Sequence, residues 1–327
     1  MGRHLVWRFC QNHRVLFTGR NTGAIDEVYA NAAKPVDSMV LDHRDSDSRQ
    51  VLVELTKGAS VVIHNAALSS PWGRRQQFEV ANVKSTKDVV AACERNNVRR
   101  LVLISSPSVY FDYQDRANIT EDHVLPRAVN HYAETKAIAE QIALNSSIEE
   151  VVVLRPRALF GPWDATLMPR LLKVMRRGTV PLIRGGEALV DLTYIDNAVD
   201  AVCLSSIRAL PANRRIYNVS NAEPWPIKSL LSKVSEEFDI AVKFKPVSWF
   251  VIKNLAHVME LYSRFTPESE PLMTRYSAGV LAFGQTLDTR RIQTELGYTP
   301  QVSVTDGIRK HAEWYRSSQK NKVFEWS

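Results

Sequence analysis

The first half of the chain alternates short, unbroken apolar runs with longer stretches whose apolar positions repeat at helical spacing. The runs are residues 15–18, 38–41, 60–63, 101–104 and 151–154. They are rich in β-branched residues and do not alternate apolar with polar, the pattern of parallel strands covered on both faces. Residues 47–55, 78–96 and 132–145 predict helices between them. Strand–helix alternation at this spacing predicts right-handed βαβ units and an α/β fold with a doubly wound parallel sheet. The second half changes character. Residues 167–176, 197–206, 227–238, 247–264, 288–296 and 305–316 predict helices, and 181–183, 189–193 and 216–219 short strands. This predicts a smaller, mostly α cap over the carboxyl edge of the sheet, where doubly wound folds bind ligands.

Composition narrows the class. The chain has 327 residues, 45% hydrophobic and 24% charged, close to soluble globular averages. That excludes disorder, collagen and a disulfide mini-scaffold. No apolar run reaches the ~18 residues of a membrane span. The opening MGRHLVWRFC lacks the apolar core of a signal peptide. Cys10, Cys93 and Cys203 show no metal-ligand spacing. They read as reduced thiols of a cytoplasmic protein, with no metal site. The net charge is +7, but its basic residues are dispersed as pairs such as Arg74/Arg75 and Arg290/Arg291. No nucleic-acid surface is expected, while a modest positive field suits an anionic cofactor or substrate.

The strongest local chemistry is Tyr132-Ala133-Glu134-Thr135-Lys136. On a helix, i and i+4 share a face, so the ammonium lies beside the phenol. A neighbouring cation favours a phenol's ionised form, which makes a tunable acid/base for a carbonyl oxygen. The pattern alone equally fits a plain surface helix. Its context is a buried strand ending in Ser105-Ser106-Pro107-Ser108-Val109-Tyr110. Ser106 there can hydrogen-bond the same carbonyl, or simply cap a turn.

With these residues the chain resembles the extended short-chain dehydrogenase/reductases, the NAD-dependent epimerase/dehydratase superfamily, and within them the 3β-hydroxysteroid dehydrogenase-like branch. Further matches are His64-Asn65-Ala66-Ala67, Asn82-Val83-Lys84-Ser85-Thr86 with Ser85 in place of a glycine, and Arg155-Pro156 followed by Phe160-Gly161-Pro162. Asp191-Leu192-Thr193-Tyr194-Ile195-Asp196-Asn197 resembles the family's entry to a late helix. The resemblance implies a Rossmann-like dinucleotide-binding domain over residues 1–157, with 191–220 returning to it, and a substrate-binding cap over 158–327. It implies Tyr132 as acid/base, Lys136 as its electrostatic partner and ribose ligand, and Ser106 as the hydroxyl that orients the carbonyl. It implies further cofactor contacts at Gly2, Asn65, Ala66, Ala67, Asn82, Pro156 and Ala158, and a homodimer.

Cofactor choice is read from two positions. Arg20 follows the strand ending Thr18-Gly19, where an acid would bind ribose hydroxyls and an arginine accommodates a 2′-phosphate. This favours NADP, with NAD as the other candidate, unless Arg20 is only a solvated loop residue. Asp42-His43, after the next strand, matches the family's contact at the adenine edge, or is an exposed turn acid. The departure lies at the amino terminus. The family runs from a first strand through a three-glycine turn into a helix, whereas Met1-Gly2-Arg3-His4 matches only the last glycine and the helix start. Gly is scarce, 13 of 327 residues. A sheet lacking its first strand is expected. Either the reading frame continues upstream for about ten residues, or the chain is natively shortened and impaired.

The positions after Ser106 are Pro107-Ser108, not the acid pair of sugar-nucleotide dehydratases. The second half carries Trp163, Trp225, Trp249, Phe250, Leu261 and Tyr262, which favours a lipid-like substrate. The segment from Arg157 to Asp164, continuing through Pro169-Arg170-Leu171-Leu172, resembles that of 2-alkyl-3-oxoalkanoate reductases and steroid dehydrogenases. The expectation is therefore NADPH-dependent reduction of a ketone on a long-chain or polycyclic lipid. The alternatives are a 3β-hydroxysteroid dehydrogenase running oxidatively, a nucleotide-sugar epimerase, or a non-catalytic NADP-sensing or scaffold protein. Within 247–264, Phe250, Val251, Leu255, Val258, Met259 and Tyr262 form one apolar stripe flanked by Lys253 and Arg264. It predicts a cap helix that partly lines the substrate pocket, in preference to a peripheral membrane contact.

Overall fold

The structure is a computed structural model and describes residues 1–265 and 271–324. The apolar runs of the first half are parallel strands: β1 (Leu16–Gly19), β2 (Asp37–Val40), β3 (Val61–His64), β4 (Arg100–Ile104) and β5 (Glu150–Pro156). β6 (Arg214–Val219), from the second half, pairs with β5. Around them lie α1 (Gly2–Phe9), α2 (Thr22–Asn31), α3 (Ser48–Leu55), α4 (Ser85–Arg95), α5 (His131–Leu144) and α6 (Ile195–Ile207). The fold is α/β and the sheet is wholly parallel, in two pieces. β3, β4, β5 and β6 are hydrogen-bonded in that order. β1 and β2 pair with each other in parallel, and neither is bonded to β3. That is the arrangement of a doubly wound sheet without a strand between its second and fourth.

β4 and β5 carry the core. Leu101, Val102, Leu103, Val151, Val152 and Val153 are fully buried, each worth up to about 1.5–3 kcal/mol of apolar transfer. Arg100 is buried among them, with its cation paired to Glu150 at 2.7 Å. It also donates to the carbonyls of Ser205 and Arg208 at 2.9 and 2.8 Å. A cation on the last carbonyls of α6 complements the helix dipole there.

A second core, around Phe160, Met168, Leu172, Leu182, Tyr194 and Leu231, lies in the second half. Strand Arg116–Ile119 runs parallel to Gln285–Leu287, across 166 or more residues of chain, and Gln285 also pairs with Val190. α2, Arg116–Ile119, Lys243–Val247, helix Arg275–Ala282 and Gln285–Leu287 were not predicted. Most are too short for their periodicity to register. No described helix is long and apolar enough to cross a membrane.

The predicted cap helix forms, at Trp249–Phe265, but its orientation reverses the expectation. Phe250, Val251, Leu255, Val258 and Tyr262 are exposed, Phe250 by 73%. The buried face is Ile252, Ala256, Glu260 and Ser263. Glu260 explains the choice. It accepts from the Arg275 backbone N–H at 2.7 Å and pairs with its guanidinium at 2.8 Å. A carboxylate thus sits on the first turn of helix Arg275–Ala282, the favoured place for an anion. The Arg264 side chain lies outside the described residues.

Candidate active site

The site is built where β3, β4 and β5 end. Ser106 follows β4, and its Oγ accepts from the Ser108 N–H at 3.2 Å, capping the one-turn helix Pro107–Tyr110. The cap and the catalytic placement are thus compatible: the side chain stays half-buried at the carboxyl edge. Asn130 caps α5 by accepting from the Ala133 N–H at 2.8 Å. This puts Tyr132 in the first turn, half-buried, with Lys136 one turn further on.

Lys136 is 3% exposed, and its Nζ donates to the Ile104 carbonyl at 2.6 Å. The bond ties α5 to the end of β4. Burial pushes the ammonium down to about 8, with the Glu140 carboxylate opposing the shift. His64, at the end of β3, is held neutral: burial first, then the Lys136 charge, bring it to about 3. Beneath them Glu140 binds Arg155 through both carboxylate oxygens, at 2.9 and 2.5 Å, with both side chains buried. Ser105 donates to Glu140, and Arg155 donates to Tyr110. Burial works against the Arg155 charge, yet Glu140 and Tyr110 raise its pKa.

The expected cofactor contacts form two groups along the same edge. Gly2, opening α1, comes next to the loop after β3: a Cβ there would lie 3.4 Å from Asn65 Nδ2. Asn65 is half-buried, and Ala66 and Ala67 are exposed. Asn82 sits in a π-type turn, Glu79–Lys84, and its amide is fully used. It accepts from the Leu68 N–H at 2.7 Å and donates to Thr135 Oγ1 at 3.0 Å, clamping that loop to α5. His43 bridges Thr18 Oγ1 at 3.0 Å and Ser85 Oγ at 3.2 Å, so the serine in the family's glycine position has a partner. Arg20, Asp42 and Arg44 line a cavity of about 560 Å³ at the ends of β1 and β2. Arg44 holds Asp42 at 2.5–3.0 Å and brings its carboxyl down to about 2. Pro156 ends β5, and Ala158 follows with φ +45°. Strain of this kind is common at ligand sites. Gly161, at φ +142°, has no room for a side chain, since a Cβ would lie 2.5 Å from Ile195.

These residues fit a nicotinamide dinucleotide: a roomy, two-arginine cavity at one end of the edge, a close approach of α1 to the β3 loop, and Tyr132 with Lys136 at the other end. Among the described residues no His, Cys, Asp or Glu cluster could hold a metal ion.

Sequence reasoning passed over a further group. Arg157, Asp191, Gln285 and Ser108 are all buried, and each has a polar atom without a hydrogen-bond partner. Tyr276 lies within electrostatic reach of both Arg157 and Tyr132, and burial pushes its hydroxyl up to about 12. The aromatic wall continues from Tyr276 through Phe111, ring centroids 5.5 Å apart, to Tyr113, 5.0 Å further. Tyr113 then lines a cavity of about 400 Å³ with Trp249, Phe283, Lys253 and Arg275. A lone acid inside the apolar run 188–192 was the one available signal.

Comparison with known proteins shows the family to which the chain belongs. The chain is 35% identical to the Escherichia coli protein YbjS, over 98% of this chain and 96% of that one. It is 33% identical to the 2-alkyl-3-oxoalkanoate reductase of Stenotrophomonas maltophilia, over 80% of this chain and 82% of that one. The UDP-glucuronic acid 4-epimerase of Bacillus cereus, solved with UDP-glucuronic acid and NAD, superposes with a TM-score of 0.74 at 21% identity. It covers 97% of this chain and 96% of that one, a likeness of fold. Residues 2–246 match the model of the 3-beta hydroxysteroid dehydrogenase/isomerase family. The chain therefore belongs to that family, among the extended short-chain dehydrogenase/reductases, enzymes that work with nicotinamide cofactors.

Proposed function

We propose that this chain uses NADP(H) to reduce the ketone of a long-chain or polycyclic lipid of the 2-alkyl-3-oxoalkanoate kind. The observation that carries the proposal is Lys136, a buried cation fastened to the Ile104 carbonyl one helical turn from Tyr132. A buried ammonium is costly to keep, and here its neighbour on the helix face is a phenol at the ligand edge. The aromatic wall of Phe111, Tyr113, Trp249, Tyr276 and Phe283 supports an apolar substrate. The Stenotrophomonas maltophilia relative supports the 3-oxo acid class. Arg20 and Arg44 at the far cavity support a 2′-phosphate, because guanidinium forks match phosphate oxygens.

Gly2, Asn65, Arg20 and Arg44 would hold the dinucleotide, which when bound supplies hydride to the carbonyl carbon. Tyr132 donates its proton to the carbonyl oxygen. Ser106 donates a hydrogen bond to the same oxygen and fixes its direction. Lys136 keeps two N–H donors beyond the one given to Ile104 and eases the loss of the phenol proton. The test follows NADPH consumption with a 2-alkyl-3-oxoalkanoate. Tyr132→Phe should keep the fold and lose about 10²–10⁴-fold in turnover, the usual worth of a positioned acid/base. Near-normal turnover in that variant would remove the mechanism.

A further inference from the structure

Arg157 follows β5 directly, between Pro156 and Ala158. It is only 8% exposed, and its guanidinium makes no hydrogen bond or ion pair with any described residue. Its backbone is fixed on both sides. The Arg157 N–H donates to the Val219 carbonyl at 3.0 Å, and its own carbonyl accepts from Thr193 Oγ1 at 2.6 Å. Such a residue needs an explanation, because a buried cation without a bonded partner is strongly unfavourable and a guanidinium does not escape by losing its proton. The neighbouring arginine shows the contrast: Arg155 is fully occupied by Glu140 and Tyr110.

Two groups face Arg157 electrostatically. One is Asp191, whose Oδ2 is taken by the Leu287 N–H at 2.6 Å and whose Oδ1 has no partner. Burial pushes the Asp191 carboxyl up to about 6, so at neutral pH it still carries a charge towards Arg157, but it gives the guanidinium no hydrogen bond. The other is Tyr276, which also faces Tyr132. Arg157 and the candidate acid/base thus flank one tyrosine. Gln285 is linked to the same group, since the Asp191 N–H donates to its carbonyl at 3.4 Å. Its Nε2 reaches the Pro107 carbonyl at 3.3 Å, beside Ser108. Unpartnered polar atoms of Arg157, Asp191, Gln285 and Ser108 are thus linked through these contacts, and Arg157 reaches the Tyr132 side through Tyr276.

We propose that Arg157 is the residue that recognises the substrate's carboxylate, so that the enzyme takes the free 3-oxo acid in preference to its ester or to a neutral ketone. The proposal rests on the ketone-reductase reading above and deepens it. In a 3-oxo acid the carboxylate carbon is separated from the ketone carbon by one atom. A ketone held at Tyr132 therefore brings its carboxylate to the Tyr276 side, where Arg157 offers a planar fork suited to two carboxylate oxygens. The Ser108 hydroxyl remains as a further donor for the same carboxylate, and the Gln285 side-chain Oε1, an acceptor, for water.

The test uses the full chain with a 2-alkyl-3-oxoalkanoate and its methyl ester, each assayed by NADPH consumption, alongside NADPH binding and thermal melts. The wild type should prefer the acid in kcat/KM. Arg157→Gln should lower kcat/KM for the acid by roughly ten- to a hundredfold, the usual worth of a hydrogen bond to a charged group. The loss should sit mainly in KM and leave the ester and NADPH binding unchanged. Arg157→Lys, which keeps the charge without the fork, should recover part of the loss, and it carries the test if the glutamine variant does not fold. Equal losses for acid and ester, or a wild type indifferent to esterification, would overturn the role of Arg157 while leaving the reductase reading intact. A wild type that binds NADPH but reduces neither compound would defeat both.

Discussion

Lys136→Met should abolish catalysis without costing stability. The ammonium is buried, and moving its pKa from 10.5 to about 8 corresponds to about 3 kcal/mol of unfavourable charge burial at neutral pH. Methionine of similar length removes that cost. Against it stands the loss of the 2.6 Å bond to the Ile104 carbonyl, which leaves a buried acceptor unpaired at about 1–3 kcal/mol. The balance lies between about zero and 2 kcal/mol in favour of the variant. At about 2–4 °C per kcal/mol, its melting temperature should equal the wild type's or exceed it by up to about 8 °C. The pH dependence gives a second check. A lysine whose folded pKa is depressed binds fewer protons folded than unfolded, so stability rises with pH in that window. The wild-type penalty is complete below about pH 8 and gone above 10.5. The variant's advantage should shrink as pH rises through that range. The assay is a pair of thermal melts near pH 7 and pH 10, with NADPH oxidation measured in parallel. A variant destabilised by more than about 2 kcal/mol at neutral pH, or a gap that does not change with pH, would show that the Lys136 charge is already compensated in the fold.

Arg20→Asp should weaken NADP(H) binding by roughly ten- to a hundredfold through loss of a charge-assisted phosphate contact, and NAD(H) binding less; equal losses in a direct titration would make Arg20 merely structural. Glu140→Gln should destabilise the protein by about 3–5 kcal/mol, because it leaves the Arg155 charge buried without its carboxylate; a denaturant midpoint close to that of the wild type would contradict this. Phe250→Ala should change stability by no more than about 0.5 kcal/mol, as exposed positions do, and leave KM alike for long- and short-chain substrates; a KM effect confined to the long chain would return this side chain to the pocket.

β4 and β5 were legible because a parallel strand covered on both faces must be an unbroken apolar run; the apolar runs at β1 and β2 also form strands but stay half-buried or exposed, since neither is bonded to β3. That Tyr132 and Lys136 share one helix and that Ser106 follows a buried strand was legible because the helical repeat and the end of a strand are local facts. The stripe on Trp249–Phe265 was misread for a reason of the same kind. Amphipathic spacing shows that a helix has two faces, but the partner decides which is covered. Here Glu260 on the more polar face binds the start of helix Arg275–Ala282, and the apolar stripe is left outside.

The sequence by itself determined the class of fold and placed Tyr132 and Lys136 on one helix after a buried strand, since each follows from spacing along a few residues. Only the tertiary structure decided that Arg157, Asp191 and Gln285 are buried with polar atoms left unpartnered. Arg157, Asp191, Tyr276 and Gln285 are spread over 129 positions of chain. An arginine after a proline reads as solvated in one dimension. It becomes a buried cation within electrostatic reach of Tyr276 and Asp191 once β5, the turn after Val190 and helix Arg275–Ala282 have packed together. Burial is a property of neighbours distant in sequence, and burial is what turns an ordinary charged side chain into a binding group.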